Sequence, residues 1–81
     1  MKIVWDEPKR NANLVKHGID FADTDGDFFF RARIGSAKRG RYFAIGDLDG
    51  VIVVIFAQLG SEGISIISAR PANRKERRLL E

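Results

Sequence analysis

Cysteine is absent from this sequence of 81 residues, and histidine occurs once, at His17. Without cysteine the chain has no disulfide framework, no thiolate nucleophile and no cysteine-based zinc site. A single histidine also excludes a cluster of histidine ligands around a metal ion. We therefore expect no metal site, and we predict that the protein works without a cofactor.

Long apolar segments are missing as well. No apolar run approaches the roughly 18 residues that a membrane-spanning helix needs. The N-terminal segment MKIVWDEP has no apolar core region and no small-residue cleavage site, so it lacks the pattern of a secretory signal. We therefore expect a cytoplasmic chain that makes no contact with a membrane.

The length and composition predict one small globular domain spanning residues 1–81. A chain this short buries only about 60–65% of the surface that its unfolded form exposes, so its core is small. The hydrophobic fraction of 44% and the charged fraction of 31% are ordinary for a soluble domain and exclude a disordered chain. A partner that covers more surface would stabilise such a domain.

Positive charge is unevenly distributed along the chain. There are 14 Lys and Arg against 11 Asp and Glu, which gives a net charge of +3. Five basic residues and no acid lie between Arg31 and Arg41, and five more lie between Arg70 and Arg78 with Glu76 as the only acid. Segregated positive charge of this kind suits a polyanionic partner.

The start of the chain predicts a strand followed by a helix. Residues 1–5 alternate loosely, as a strand would. A helix over residues 7–17 follows, because Asp6 offers a side-chain oxygen as N-cap and Pro8 falls in the first turn. Gly18 ends this helix, since glycine readily adopts the left-handed conformation of a C-terminal cap.

A second helix is predicted in the segment IDFADTDGDFFF. Asp20 offers another N-cap there, although Gly26 weakens a helix through the middle of the segment. The next segment, RARIGSAKRG, contains glycine and serine and has the pattern of an edge strand or a loop.

The second half of the chain predicts three antiparallel strands and a final helix. RYFAIGD and VIVVIFAQL are rich in aromatic and β-branched residues, and the tight turn LDG separates them. ISIISAR follows the turn GSEG as the third strand of a meander. Pro71 ends that strand because proline has no N–H to donate, and Asn73 can cap a helix over RKERRLLE.

These elements define an α+β fold class. We predict an antiparallel sheet of three to four strands, with two N-terminal helices and one C-terminal helix packed on one of its faces.

Two groups of residues in this chain resemble the BrnT-type toxins of bacterial type II toxin-antitoxin modules, and the resemblance covers nearly the whole chain. One group lies in WDEPKRNANLVKHGIDF and the other in ISIISARPANRKERR. The matching positions are Trp5, Asp6, Glu7, Lys9, Asn13, Lys16, His17 and Gly18 in the first group, and Ile67, Ser68, Ala69, Arg70, Ala72, Glu76 and Arg77 in the second.

The resemblance implies a RelE-like ribonuclease fold and toxicity through RNA cleavage and translation arrest. It also implies neutralisation by a cognate antitoxin of the BrnA type, whose DNA-binding part lets the complex repress its own operon. The expected partners are therefore RNA and the antitoxin, with DNA bound only through the antitoxin. The family usually has an aromatic residue where this chain has Leu79 and Leu80. A second hypothesis is therefore a catalytically weak homologue that acts as an antitoxin- or RNA-binding module.

Arg70 is the first candidate for the site of a metal-independent endoribonuclease. Such an enzyme activates the ribose 2′-hydroxyl, stabilises negative charge on the phosphorane oxygens and protonates the leaving 5′ oxygen. A guanidinium stays protonated, and its planar fork matches two phosphate oxygens. Strand alternation predicts that its side chain shares a face with Ser68, Ile66 and Ile64. The structural alternative is an ion pair with Glu76 on the next helix.

His17 is the natural candidate for proton transfer, because histidine is the residue type that exchanges protons near neutral pH. The structural alternative is a cation at the C-terminal end of the first helix, where it complements the helix dipole. Lys16 and Lys9 offer phosphate contacts or a base with a lowered pKa, and the alternative for each is an ordinary surface lysine.

Further arginines are candidates for binding the RNA backbone. A helix that starts after Asn73 places Arg74, Arg77 and Arg78 on one outer face, which binds phosphate, an acidic antitoxin segment or only water. Arg41 opens the strand RYFAIG and points either to the site or to solvent. The Glu76 carboxylate lies towards the apolar side of this helix, where an unpaired charge is costly. We therefore expect it to pair with an arginine such as Arg70 or Arg41.

Aromatic residues complete the predicted surface. Trp5 either stacks on an RNA base or belongs to the core. The three consecutive residues Phe28, Phe29 and Phe30 cannot share one face, so we expect one of them to be exposed and available to the antitoxin. The catalytic candidates are Arg70, Arg77, His17 and Arg41, and the RNA-binding candidates are Lys9, Lys16, Arg74, Arg78 and Trp5.

Overall fold

Five strands form one mixed sheet, and three α-helices pack against it. The computed structural model describes all residues, 1–81. The elements in chain order are β1 (Lys2–Trp5), α1 (Glu7–His17), α2 (Gly26–Arg31), β2 (Arg33–Ser36), β3 (Tyr42–Asp47), β4 (Val51–Leu59), β5 (Gly63–Pro71) and α3 (Arg74–Leu80), with short 3₁₀ turns at Phe21–Asp23 and Lys38–Gly40. None of the helices is long and apolar enough to cross a membrane.

The sheet has the strand order β1-β5-β4-β3-β2. The neighbours from β2 to β5 pair antiparallel, which confirms the predicted meander. Of the two alternatives for RARIGSAKRG, an edge strand or a loop, the structure shows an edge strand over Arg33–Ser36. β1 pairs parallel with β5, in the register Lys2↔Gly63 to Trp5↔Ile66. The prediction of three to four antiparallel strands was therefore wrong in number and direction. Turn signals predict pairing only between consecutive strands. β1 and β5 are separated by most of the chain, so no turn signal predicts that they pair.

α1 begins and ends where the sequence predicts. The Asp6 carboxylate accepts a hydrogen bond from the Lys9 N–H, with an N···O distance of 3.1 Å. Gly18 has a φ of 70° and donates its N–H to the carbonyl of Leu14. The aspartate cap and the left-handed glycine thus fix both ends of the helix.

The second predicted helix is divided into two pieces. The Asp20 side chain caps the 3₁₀ turn Phe21–Asp23, and the Asp25 side chain caps α2. Gly26 is the first residue of α2 rather than an interruption within a longer helix. Two aspartate caps five residues apart hold the backbone extended at two points, so no single helix can run through both.

α1 and α2 cover one side of the sheet, which we call the helix face. Phe28 and Phe29 of α2 lie edge to face with their ring centroids 5.3 Å apart. Gly46 on β3 permits this packing, because a Cβ there would lie 2.6 Å from the Phe28 ring. The buried cluster on this face consists of Phe21, Phe28, Phe29, Ala44, Ile52, Val54, Phe56, Ile64, Ile66 and Ala69.

α3 packs on the opposite side of the sheet, which we call the reverse face. Ile45 and Val53 are each 1% exposed, yet they lie outside the helix-face cluster and alternate with its members along β3 and β4. α3 contacts β3 and supplies their cover. The prediction that all helices pack on one face was therefore wrong. The chain passes from the end of β5 at Pro71 to the reverse face, where α3 begins at Arg74.

A β-bulge in β5 changes the face on which Arg70 lies. Ile55 pairs with Ser68 and Phe56 pairs with Ile66, so Ile67 is an extra residue in β5. One extra residue reverses the alternation beyond it. Arg70 therefore lies with Ser68 on the reverse face. The prediction that it shares a face with Ile66 and Ile64 was wrong, since both belong to the helix-face core.

Candidate active site

Arg70 lies near the end of β5 on the reverse face of the sheet. It pairs with Val53 of β4, which pairs in turn with Ile45 of β3. Its side chain is 39% exposed. A half-buried arginine at a strand end is accessible to a ligand while its aliphatic stem rests on the sheet.

A bidentate ion pair orients the Arg70 guanidinium. Nη1 donates to Oε1 of Glu76 and Nη2 donates to Oε2, both at 2.8 Å. The Glu76 Oε1 also accepts from the Asn73 N–H at 2.9 Å, and the Asn73 Oδ1 accepts from the Glu76 N–H at 2.8 Å. This capping box fixes the carboxylate at the start of α3. The predicted pair between Arg70 and Glu76 is therefore present.

Part of the Arg70 guanidinium has no acceptor within the protein. Its hydrogen bonds use Nη1 for Glu76 and for the Pro71 carbonyl, and Nη2 for Glu76. A guanidinium has five N–H groups, so Nε–H and one N–H of Nη2 remain. These two groups lie side by side, which is the arrangement that binds two oxygens of a phosphate. The ion pair thus positions Arg70 and leaves one edge of it for a ligand.

The Arg70–Glu76 ion pair also shifts both pKa values. The hydrogen bonds from Arg70 hold the pKa of Glu76 at about 2, well below the ordinary value of 4.5. The hydrogen bonds to Glu76 raise the pKa of Arg70. Both groups are therefore charged wherever the protein is folded near neutral pH.

The Arg70–Glu76 ion pair is expected to make the free energy of unfolding depend on pH in the acid range. Because the folded-state pKa of Glu76 is depressed, its stabilisation is complete above pH 4.5 and is lost as the pH falls towards about 2. Partial exposure of Arg70 limits the loss to about 1–2 kcal/mol. Glu76→Gln keeps the capping box but should flatten this pH dependence in urea unfolding curves. An equal pH dependence in the variant and the wild type would contradict the account.

Beside Arg70 on the reverse face lies a row of half-buried side chains. Ser68 pairs with Ile55, and Ile55 pairs with Phe43 of β3. A Cβ on Gly35 of β2 would collide with the Phe43 ring, so the ring lies over the glycine backbone. The sequence pointed to RYFAIGD as a strand but did not single out Phe43. An aromatic residue that alternates with core positions beside a glycine of the neighbouring strand is the signal for it.

The other predicted arginines are exposed and form no salt bridge. Arg41 immediately precedes β3, and Arg74, Arg77 and Arg78 project from α3, the helix that holds Glu76. None of the four has a carboxylate within salt-bridge distance, whereas Arg70 has one. The structure therefore brings α3 and its arginines to the face that contains Arg70.

The remaining predicted residues lie on the other side of the molecule. Lys9 and Lys16 are exposed on α1, which packs on the helix face. His17 lines a cavity of about 570 Å³ together with Asp49 and Pro71, and Arg70 is not part of that lining. The structure thus separates His17 and both lysines from the Arg70 guanidinium, although the His17 cavity reaches the residue that follows Arg70.

Trp5 and Arg10 belong to a second ionic cluster, at the start of α1. The Trp5 Nε1 donates to Glu7 at 2.7 Å, and the Arg10 guanidinium lies 5.8 Å from the Trp5 ring centroid. Arg10 also binds both carboxylate oxygens of Asp20, at 2.7 and 3.0 Å. The hydrogen bonds from Arg10 hold the pKa of Asp20 at about 2. Trp5 also packs against the core, so its ring is partly occupied within the protein.

The fold and the site together define a small basic α+β domain with an oriented, ligand-accessible arginine on the reverse face of its sheet. The family described as ribonuclease toxin BrnT of type II toxin-antitoxin systems matches residues 5–76. The chain belongs to this BrnT family, as the sequence motifs predicted. Family membership implies an antitoxin partner.

A solved structure agrees with this assignment. The crystal structure of the Brucella abortus ribonuclease toxin BrnT, at 1.1 Å resolution, is similar to this chain with a TM-score of 0.85 and 49% sequence identity. The similarity covers 91% of this chain and 99% of that one. No curated protein sequence matches the chain.

Proposed function

We propose that this chain is a metal-independent endoribonuclease that arrests translation and whose reacting phosphate binds at Arg70. The observation that supports it most is the guanidinium that Glu76 holds in place while Nε–H and one Nη2–H remain without an acceptor. A fixed cation with two parallel donors is complementary to the charge that develops on phosphorane oxygens. Because the orientation exists before RNA binds, little reorganisation is needed during the reaction.

The proposed reaction is an attack of the ribose 2′-oxygen on the adjacent phosphorus. A bond forms from O2′ to phosphorus, and the bond from phosphorus to the 5′ oxygen breaks. The proton of the 2′-hydroxyl passes to a general base, and a general acid protonates the departing oxygen. The products are a 2′,3′-cyclic phosphate and a 5′-hydroxyl. Arg70 stabilises the charged intermediate and takes no part in the proton transfers, because a guanidinium stays protonated.

Neighbouring groups would hold the RNA strand around this phosphate. Arg77 and Arg41 supply further cations for the reacting phosphate, and the half-buried ring of Phe43 offers a surface for stacking a base, worth about 1–3 kcal/mol. We assign proton transfer to no residue, because His17, its candidate from the sequence, lies on the other side of the sheet from Arg70 and only lines a cavity together with Pro71. Contacts with more distant phosphates or bases are proposed for Arg74, Arg78, Lys9, Lys16 and Trp5.

The proposed setting is the cytoplasm, where RNA and ribosomes are found. A cognate antitoxin would neutralise the toxin there, and DNA contacts of the complex would be made by the antitoxin. The competing proposal is an antitoxin- or RNA-binding module with weak catalysis. The replacement of the usual aromatic residue by Leu79, which is 47% exposed at the end of α3, is the observation that favours it.

Cleavage of a short RNA in the presence of EDTA tests the proposal. The purified chain is expected to release fragments with 2′,3′-cyclic phosphate and 5′-hydroxyl ends, because the nucleophile belongs to the substrate. An oligonucleotide with 2′-O-methyl groups throughout should bind and remain intact. Activity that disappears with EDTA would contradict metal independence. Binding of RNA without any cleavage would favour the binding module.

A further inference from the structure

An apolar groove runs along the helix face beyond the end of α2. It consists of two adjoining cavities of about 640 and 460 Å³, which share the side chains of Met1, Ile34, Phe56 and Ile64. Phe30 lines one end of the groove. The groove thus connects the edge strand β2 with the first residue of the chain across the open part of the sheet.

The apolar side chains of this groove are unusually exposed. Phe30 is 88% exposed, Met1 is 68% exposed and Ile34 is 49% exposed. Phe30 has this exposure although the two preceding phenylalanines are buried in the helix-face core. A monomeric domain rarely leaves a contiguous apolar surface of this kind uncovered unless a partner binds there.

The groove lies beside two features that suit a protein partner. β2 is the last strand of the sheet, so its outer edge has no partner strand. The segment that follows α2 and contains β2 carries Arg33, Lys38 and Arg39 without an acid, and Glu62 is the only charged residue that lines the groove itself. A partner with apolar anchors and flanking carboxylates would therefore match both the groove and its surroundings.

We propose that the groove is the docking site of the cognate antitoxin, which inserts an amphipathic segment with acidic flanks and packs against Phe30. This inference rests on the proposed function, because it requires the chain to be a toxin with an antitoxin. RNA fits the groove poorly, since neither cavity is lined by a lysine or an arginine. A second copy of the chain is the other possible occupant with apolar anchors, and the test below distinguishes it from the antitoxin.

Docking at the groove is separate from catalysis at Arg70. The groove lies on the helix face, whereas Arg70 lies on the reverse face of the same sheet. A substitution in the groove should therefore release the toxin from its antitoxin without affecting the cleavage of RNA. This separation also distinguishes failure of the docking proposal from failure of the proposed ribonuclease function.

The test compares Phe30→Asp with Val15→Asp. Val15 on α1 is 89% exposed, so the two variants introduce the same charge at equally exposed apolar positions. The probe is the protein encoded by the reading frame adjacent to that of this chain, and calorimetry measures its binding. We expect Phe30→Asp to weaken binding about 30-fold or more and Val15→Asp to change it less than about threefold. Both variants should cleave RNA at the wild-type rate, and Phe30→Asp should remain toxic when the antitoxin is co-expressed.

Three results would overturn the docking proposal. The first is wild-type affinity in Phe30→Asp, and the second is an equal loss in Val15→Asp. The third is sedimentation of the wild type alone as a dimer that Phe30→Asp dissociates, which would assign the groove to a second copy. Ile34→Lys, at a residue that lines both cavities, provides a second measurement and should also weaken binding. Absence of RNA cleavage by the wild type would refute the ribonuclease proposal, while the binding comparison would still test the groove.

Discussion

Replacement of Arg70 by alanine is expected to lower kcat/KM for RNA cleavage by about 10²–10³-fold. The substitution removes the two donors that would bind the phosphorane oxygens, and no other arginine of the reverse face is held by a carboxylate. Arg70→Lys keeps the charge but loses the parallel donors, so we expect it to recover only a small part of the activity. Initial rates on a short RNA, measured with substrate well below KM, check both variants.

The Arg70→Ala variant alone would not separate catalysis from folding. It leaves Glu76, whose side chain is 20% exposed, without its cation, which is expected to cost about 1–3 kcal/mol of stability. Replacing both partners as Arg70→Gln with Glu76→Gln removes the uncompensated charge and lets the two amides bind each other. The double variant should therefore be near the wild type in stability and as inactive as Arg70→Ala.

A second ion pair supplies a matched control for charge. Arg31 of α2 binds Asp27 at 3.2 Å, and both side chains are well exposed. Arg31→Gln also removes one positive charge and one ion pair, but on the other side of the sheet. Its cleavage rate should stay within about threefold of the wild type, because exposed pairs contribute little. Equal losses in Arg31→Gln and Arg70→Ala would mean that net charge, rather than the fixed guanidinium, governs activity.

Replacement of Asn13 by alanine is expected to lower the free energy of unfolding by about 3 kcal/mol. Asn13 is 8% exposed, and its amide accepts from the Ala69 N–H at 3.1 Å and donates to the Ala69 carbonyl at 2.9 Å. It also donates to the Ile19 carbonyl at 3.1 Å. β1 pairs with β5 only as far as Ile66, so the Asn13 side chain replaces a strand partner beyond that point. Alanine would leave the buried N–H and carbonyl of Ala69, and the partly buried carbonyl of Ile19, without this partner.

A second asparagine of the same helix provides the control. Asn11 is exposed, and its side chain makes no hydrogen bond within the protein. Asn11→Ala should therefore change the free energy of unfolding by less than about 0.5 kcal/mol. Urea unfolding monitored by the fluorescence of the single tryptophan compares the two variants. Similar urea midpoints for Asn13→Ala and Asn11→Ala would show that the hydrogen bonds between Asn13 and Ala69 contribute nothing to the stability of the fold.

Local signals in the sequence predicted much of the fold. Asp6 and Gly18 fixed both ends of α1, and Asn73 fixed the start of α3, because each acts on the backbone next to it. The β3–β4–β5 meander followed from apolar content and tight turns. Glu76 was expected to pair with an arginine because its position on α3 faces the sheet. In each case the interaction that decides the structure lies within a few residues.

Long-range features of the fold could not be predicted from the sequence, for physical reasons. The parallel pairing of β1 with β5 joins residues far apart in the chain. An alternating apolar pattern also does not show whether a strand pairs parallel or antiparallel. The bulge at Ile67 adds one residue in a run of isoleucines and serines, so composition gives no sign of it. That single residue transfers Arg70 to the reverse face. The position of α3 follows from it, because the Arg70–Glu76 pair joins α3 to that face.

The site was predicted in part for the same reasons. Arg70 and its pair with Glu76 followed from the motif that contains them. The position of Phe43 on the same face as Arg70 depends on the register between strands, which the sequence does not specify. His17 is a reasonable candidate by its chemistry, yet α1 holds it on the other side of the sheet.

Growth of bacteria after induction of this chain tests the central claim, that a ribonuclease toxin acts through Arg70. The wild type is expected to arrest growth, and the Arg70→Gln, Glu76→Gln double variant at the same protein level should allow growth. Equal arrest by both proteins would contradict the role of Arg70, and continued growth with the wild type would contradict the toxin function itself.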